Sequence, residues 1–331
     1  TFLDAVVRGY EAMIRVGRAA GAGHYRFFHA TGTCGPFGAA AAAATILRLD
    51  PRATAWALAN AGQQAAGLWQ VRHEPVFTKA LHDGRAAANG LAAAFLAREG
   101  FAGPLTHFEG PQGFFAALCD DADPEAVVAG ENEGWAIHDV SFKPHAACRH
   151  AHATIDAVLA LRAQAAGRDL QSLEVASYRD ALAFCDKPNP TTPGEAKFSL
   201  QHAAAVAWAN GDADLPRFTL AAIADPAHVA LRARVRATED TAITARYPAR
   251  FGAAARATLA DGAVLEAQTP DALGDPERPL DASGLAAKAA ALMAWGGLDA
   301  TAAGHLVSVC MKLGDTSTIA DLSAALPGLD G

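Results

Sequence analysis

The hydrophobic period of this 331-residue chain changes twice, and the two changes bound the folds open to it. At first, apolar residues recur three and four apart, the spacing of a buried helix face. Phe2, Leu3, Val6, Val7, Tyr10 and Ile14 set that pattern at once with Thr1 the only available cap, so the chain reads as if it begins inside a fold. A Gly-rich break at Gly21 to Gly23 precedes HYRFFHATGTCGPFG. The run Ala39 to Ala44 then leads to Leu49 and the stop at Asp50-Pro51, which reads as a loop feeding a helix. Further helices are expected over Ala53 to Trp69, over Arg85 to Glu99 with Gly100 as its C-terminal cap, and over Thr154 to Ala166.

The period then shortens to two. Leu173 to Tyr178 alternates as a strand does, and Ala255 to Leu259 with Ala263 to Ala267 flank Asp261-Gly262, a pair suited to a two-residue hairpin turn. Helices are expected between them, over Glu195 to Asn210 and Ala227 to Val235. Beyond Pro279 alanine-rich helix returns through Leu326. The order is helix, then α+β, then helix, with the last helices expected to pack back on the first domain.

Composition removes several classes of function. Hydrophobic residues make up 51%, much of it alanine, and aromatics only 7%, which favours helices packed at close range. The formal charge of −8, without a Lys/Arg run, argues against a nucleic-acid partner. Cys34, Cys119, Cys148, Cys185 and Cys310 form no CxxC pair, so neither structural zinc nor a disulfide framework is expected. No apolar run approaches the ~20 residues that cross a bilayer, and no signal-peptide pattern is visible, so no membrane association and a cytoplasmic location are expected. There is no GxSxG, GxxxxGK[ST] or HExxH motif, and Gly32, Gly35 and Gly38 are wrongly spaced for a dinucleotide loop.

Three segments carry residues suited to acid/base chemistry on anions. SFKPHAACRHAH, Ser141 to His152, combines Lys143 and Arg149 with His145, His150 and His152, fixed charge beside groups that titrate near neutrality. These three histidines lack a matching carboxylate cluster, so no metal is expected. The glycines of ATGTCGPFG would turn the backbone into a helix near Ala39 whose free N–H groups favour an anion, with His29, Thr31 and Thr33 at the mouth. Equally, His29 would merely satisfy the loop and the threonines cap the helix. The third segment is Thr78 to His82, with Lys79, which on its own would be a solvated lysine.

Read together and in order, GYEAMIRVGRA, FHATGTCGPFGAAAAAA, FTKALHDGRAAANGL, EGPQGFFAA, SFKPHAACRHAHATIDA and EAKFSLQHAAA resemble the MmgE/PrpD family of 2-methylcitrate dehydratases, cis-aconitate decarboxylases and an iminodisuccinate epimerase. The resemblance implies a mainly α protein with an α+β insertion. An all-α domain over 1–144 would precede an α+β domain over 145–275, and the helices of 276–331 would return to the first domain. It also implies a homodimer, an active site in the cleft between the domains, and no required cofactor.

By this resemblance His29 matches the histidine of an FHPTGT-like segment, Lys79 the lysine of a TK-LH segment, and Lys143 the lysine following Phe at the interdomain crossing. Cys148 stands where the decarboxylase branch has a catalytic histidine, with His150 and His152 near enough to substitute and His145 the least favoured. The roles implied are acid/base work for His29, seconded by His150 or His152, with Tyr25 as a further proton donor. Lys79 and Lys143 would bind carboxylate and stabilise charge, with Arg149 as a bidentate clamp and Thr31, Thr33 and Cys148 as substrate contacts. His73, His107, His138, His228 and His305 are expected to be structural or exposed. Relatives usually carry a helical segment upstream of GYE that contributes aspartate and histidine to the cleft, so the first domain is expected to be N-terminally incomplete here. The function implied is an acid/base lyase on a small di- or tricarboxylate, with 2-methylcitrate-type dehydration first. An iminodisuccinate-type epimerase, a cis-aconitate-type decarboxylase and a non-catalytic dicarboxylate-binding or dimerising member are the alternatives.

Overall fold

The computed structural model describes residues 1–74, 76–130 and 133–326, and its contacts divide the chain into two compact units, Thr1–Asp139 and Val140–Gly331. Among the described residues no helix is long and apolar enough to cross a membrane.

The first unit is helical: α1 (Phe2–Phe27), α2 (Ala30–Leu47), α3 (Pro51–Gly62), α4 (Thr78–Arg98) and the short α5 (Phe114–Leu118). The glycine break is a kink inside α1, where Gly21 takes φ 78° and the Asp121 carboxylate accepts the Gly23 N–H at 2.9 Å. The expected loop before Ala39 is helix from Ala30 onward, so Gly32, Gly35, Pro36 and Gly38 lie within α2. Glycine inside a helix costs ~1 kcal/mol against alanine, and here close packing accounts for it. A Cβ on Gly38 would lie 2.8 Å from the Gly9 carbonyl oxygen of α1, one on Gly9 would lie 2.9 Å from that of Gly38, and one on Gly90 of α4 would lie 2.5 Å from that of Pro36. Helix α2 therefore touches both neighbours with its backbone.

The cores match this spacing: one cluster joins Val16, Phe37, Phe114 and Phe115, and in a second the fully buried members are all alanines, including Ala40, Ala57, Ala61 and Ala93, with Leu47 and Trp56 packed against them. Asp50 caps α3 by accepting the Ala53 N–H, with Pro51 at the first helical position. That helix stops at Gly62, short of the expected Trp69, because the chain must extend to pair Phe28 with Leu68, and Gly67 supplies φ 150° there. Helix α4 starts at Thr78, ahead of the expected Arg85.

The second unit holds a four-stranded mixed sheet: β1 (Leu170–Ser177), β2 (Val235–Glu239), β3 (Ala253–Leu259) and β4 (Val264–Thr269), in the order β2-β1-β3-β4. β2 runs parallel to β1, with Leu173 opposite Val235, and the other pairs are antiparallel. The unit also holds α6 (His152–Ala165), α7 (Arg179–Cys185), α8 (Pro193–Lys197), α9 (Leu200–Asn210), α10 (Leu220–Ala224), α11 (Pro226–Arg232), α12 (Thr241–Thr244), α13 (Ala282–Trp295), α14 (Ala300–Met311) and α15 (Ile319–Ala325). Ile155, Val158 and Leu161 of α6 pack with Leu173 and Val175 of β1, Leu200 and Val206 of α9, and Ala255, Ala257 and Leu259 of β3.

Three sequence expectations change in this unit. The helix over Ala227 to Val235 ends at Arg232, and Val235 opens β2. The helix over Glu195 to Asn210 is two helices, because Ser199 caps the second by accepting the His202 N–H. The hairpin loop spans three residues rather than two: Leu259 donates to the Ala263 carbonyl, with Gly262 at φ 84°. The last helices cluster with this unit, where Lys288 Nζ lies 3.4 Å from the Pro144 carbonyl oxygen. A mainly α protein with an α+β domain is the fold class.

Candidate active site

In the first unit the polar centre is a pair of histidines. His29 is the residue before α2, buried, with its N–H bonded to the Gly67 carbonyl at 2.9 Å. Its Nδ1 lies 3.1 Å from Nδ1 of His82, and its ring packs on Trp69 at 4.6 Å between centroids. At that distance one imidazole must donate and the other accept, so the pair shares one hydrogen. His82 also lines a cleft of about 520 Å³ together with Gln64, Gln70, Glu74, Arg85 and Asn89. His82, Arg85 and Asn89 are spaced i, i+3, i+7, which places them on one face of α4.

The other predicted residues of this unit fall elsewhere. Lys79, half-buried on α4, is not in the wall of that cleft. Its direction is about 100° round the helix from Thr78, which is in the wall. Tyr25 is exposed and sets its ring edge-on to Trp69 at 5.5 Å. Thr31 is exposed in the first turn of α2, whereas Thr33 is fully buried. The expectation that both threonines stand at a loop mouth is corrected by the earlier start of α2. His24 donates Nδ1–H to the Leu118 carbonyl at 3.0 Å, so its Nε2 accepts the Thr33 hydroxyl at 2.8 Å. That committed hydroxyl ties α2 to α1.

In the second unit the segment Ser141 to His152 is held by backbone bonds to three distant places: Phe142 N–H to Gly274, Ala146 N–H to Ala213 and Cys148 N–H to Lys197. Its cationic side chains separate into distinct pairings. His145 Nε2 meets the Asp156 carboxylate at 3.0 Å, and the other oxygen of Asp156 accepts the Leu273 N–H at 2.6 Å and Arg278 at 3.0 Å. Burial alone would raise the Asp156 pKa, but the bonds from His145 and Leu273 and the nearby positive charges outweigh it and hold the carboxyl below its ordinary range. Arg149 is bonded to Asp275, which also accepts Ser141 Oγ at 2.8 Å, and its guanidinium lies 4.2 Å from the centre of the Phe251 ring. With Asp275 occupying one side and Phe251 covering its face, Arg149 is engaged as an internal clamp rather than presented as a bidentate fork. Lys143 is exposed.

His150 and His152 are both buried. His150 Nδ1 is 2.7 Å from the Tyr178 hydroxyl, among Phe184, Tyr247 and Phe251. Burial, then the charges of Arg149 and Lys143, lower its pKa to about 4. His152 donates Nε2–H to the Ala147 carbonyl at 3.2 Å, and burial, followed by the neighbouring His145, lowers its pKa to about 3. Both are neutral imidazoles at pH 7. Cys148 packs inward, and its hydrogen bond with Cys185, together with burial, pushes the Cys185 thiol well up. The histidine paired with a carboxylate is thus His145, the least favoured of the three on sequence.

Four residues that sequence reasoning did not single out belong to these clusters: His82, Asp156, Tyr178 and Asp275. His82 was within reach, three residues after Lys79 in the same TKALH string. Tyr178 and Asp275 lie 28 and 126 residues from their partners, and no local pattern announces them. Of the histidines expected to be structural, His107 packs on Phe37 and Phe114, and His228 bonds the Ala222 carbonyl and Asn210. Among the described residues no group of three or more His, Cys, Asp or Glu is placed to hold a metal ion.

A helical unit followed by a mixed-sheet unit, each with its own histidine pairings, describes a two-part α and α+β protein. Residues 1–127 match the MmgE/PrpD N-terminal domain and residues 145–308 the MmgE/PrpD C-terminal domain, so the chain belongs to the MmgE/PrpD family. It is similar to the cis-aconitate decarboxylase-like protein oryM of Aspergillus oryzae, 32% identical over 166 residues, which are 47% of this chain and 34% of that protein. It is also similar to the cis-aconitate decarboxylases of Mus musculus and Homo sapiens, each 28% identical over 200 residues, 58% of this chain and 40% of each relative. The chain spans at most about two fifths of the length of these curated relatives.

Proposed function

We propose that this protein is an acid/base lyase acting on a small di- or tricarboxylate. The observation that carries the reading is the His29–His82 pair at a cleft that also presents Arg85. A proton beside a carboxylate is weakly acidic, and removing it loads negative charge onto that carboxylate. A histidine positioned to move the proton contributes about a hundredfold to ten-thousandfold, and a cation aimed at the developing charge roughly 3 to 4 kcal/mol. The resemblance assigns carboxylate binding to Lys79 and Lys143 as well, Lys79 from outside the wall of this cleft, and the protein acts as a homodimer without a cofactor.

Elimination of water from a 2-methylcitrate-like substrate is the first reading, because the resemblance puts Cys148 where the decarboxylase branch carries its histidine. Decarboxylation of a cis-aconitate-like substrate is the second, favoured by the names of the relatives. The test incubates the full-length protein with 2-methylcitrate, citrate, cis-aconitate and iminodisuccinate while following new unsaturation, carbon dioxide release and solvent-deuterium uptake. Unsaturation supports dehydration, carbon dioxide supports decarboxylation, and exchange without loss indicates an epimerase. Binding without turnover would leave a non-catalytic binder, and neither turnover nor binding would end the enzymatic reading.

A further inference from the structure

His29 and His82 are not equivalent, and the difference assigns them separate tasks. His29 is buried, wedged between Trp69 and His82, and is not part of the cleft wall; His82 is half-buried and is part of it. The Nδ1 atoms face each other at 3.1 Å, and a Cβ added to Gly67 would lie 3.2 Å from His82 Nδ1, so that side of the His82 ring is enclosed. Among the described residues nothing is bonded to the other ring nitrogen, Nε2, of His82.

We propose that His82, rather than His29, exchanges a proton with a carboxylate ligand in this cleft, and that His29 is its positioning residue; this deepens the lyase reading and rests on it. With the shared hydrogen on His82 Nδ1, donated to His29 Nδ1, the lone pair of His82 is at Nε2. A proton leaving the carbon next to the ligand's carboxylate is taken there, and its bonding electrons stay with the ligand. The imidazolium so formed keeps its Nδ1–H on the same acceptor, so nothing need rearrange, and the same Nε2–H can return the proton. Arg85, one turn along α4, is placed to hold the carboxylate. Among the described residues, Arg85 and Glu74 are the charged groups that share the cleft wall with His82, and Lys79 and Asp83 flank it along its own helix, with His29 behind.

Nitrogen-15 NMR of the histidine side chains in the full-length protein reads the tautomer directly. His82 is expected as the Nδ1–H form in the wild type, to revert to the Nε2–H form usual for free imidazole in His29→Phe, and to keep Nδ1–H in His29→Asn, whose side-chain oxygen replaces the acceptor. His29 makes no side-chain bond to the first turn of α2, so asparagine removes no cap, and at least one variant is expected to fold, as checked by thermal melting. A wild-type His82 protonated at Nε2, or a tautomer indifferent to His29→Phe, overturns the assignment whatever the activity. On an active substrate, His82→Gln is expected to lower kcat at least a hundredfold with little change in KM. Unchanged kcat would remove His82 while leaving the lyase reading intact, whereas a wild type inert to every polycarboxylate would end that reading and leave the tautomer result standing.

Discussion

His150, His152 and His202 are held neutral far below the pH at which an exposed imidazole charges, with pKa values near 4, 3 and 4 against an ordinary 6.5, in each case chiefly through burial. The unfolded chain therefore binds more protons than the folded one as pH drops below about 6.5, and the stability these groups contribute is complete above that value and lost on acidification. Each contributes up to about 1.4 kcal/mol per pH unit until its folded pKa is reached. Asp156 acts in the same direction at lower pH, since its depressed pKa makes its contribution present above the ordinary carboxyl range and lost as pH falls through the folded value. Urea denaturation at pH 7, 6 and 5 should show a steepening loss; a flat profile would contradict the buried-neutral assignment. Asp275→Ala should destabilise by about 3 to 5 kcal/mol, because it leaves the Arg149 guanidinium enclosed without its carboxylate while Nη1 already lacks a partner among the described residues. Sequence density drew attention to the stretch around His150, but density alone did not say which charges face outward. That depended on Asp156, Tyr178 and Asp275, which the fold brings in from elsewhere.

Helices and strands were legible where composition and period agreed, and misread where a residue type has two uses. Gly32, Gly35 and Gly38 suggest a loop because glycine is common in turns, yet tertiary packing overrides that preference when two helices meet backbone to backbone. The strand VRATE went unread, with only Val235 inside the expected helix, because five residues carry too little alternation to mark a strand, and its pairing with β1 is non-local. Gly90→Val should therefore act as a wedge between α2 and α4. Its Cβ alone would come within 2.4 Å of that of Ala39, and backbone atoms of Pro36 and Ala40 cannot yield as a flexible side chain would. A loss of about 1 to 3 kcal/mol is expected by thermal or urea melting. By contrast Gly84→Ala, which meets nothing within 4 Å, should stabilise by a few tenths of a kcal/mol up to about 1 through helix propensity.

Over the chain as an entirety, the switch from period 3.6 to period 2 and back gave the fold class, and the ordered motifs gave the family, because both depend on extended patterns that survive local misreadings. The site was less legible, since the pairings that define it are made across tens of residues. Lys79→Ala and Lys143→Ala in the full-length protein should each cost about a hundredfold or more in kcat/KM on the active polycarboxylate, with melting temperature little changed. Light scattering should return the mass of a homodimer.

The backbone contacts of α2 also have a kinematic meaning. A helix separated from its neighbours by side chains can slide, because rotamers on both sides give way. Here Gly38 rests on Gly9 and Pro36 on Gly90, so axial travel would drive carbonyl oxygens into main chain with no soft layer to absorb it. The rod that begins immediately after His29 has almost no play along its axis. Positional error at that imidazole is confined to its own torsions, which Trp69 and His82 restrict from either side.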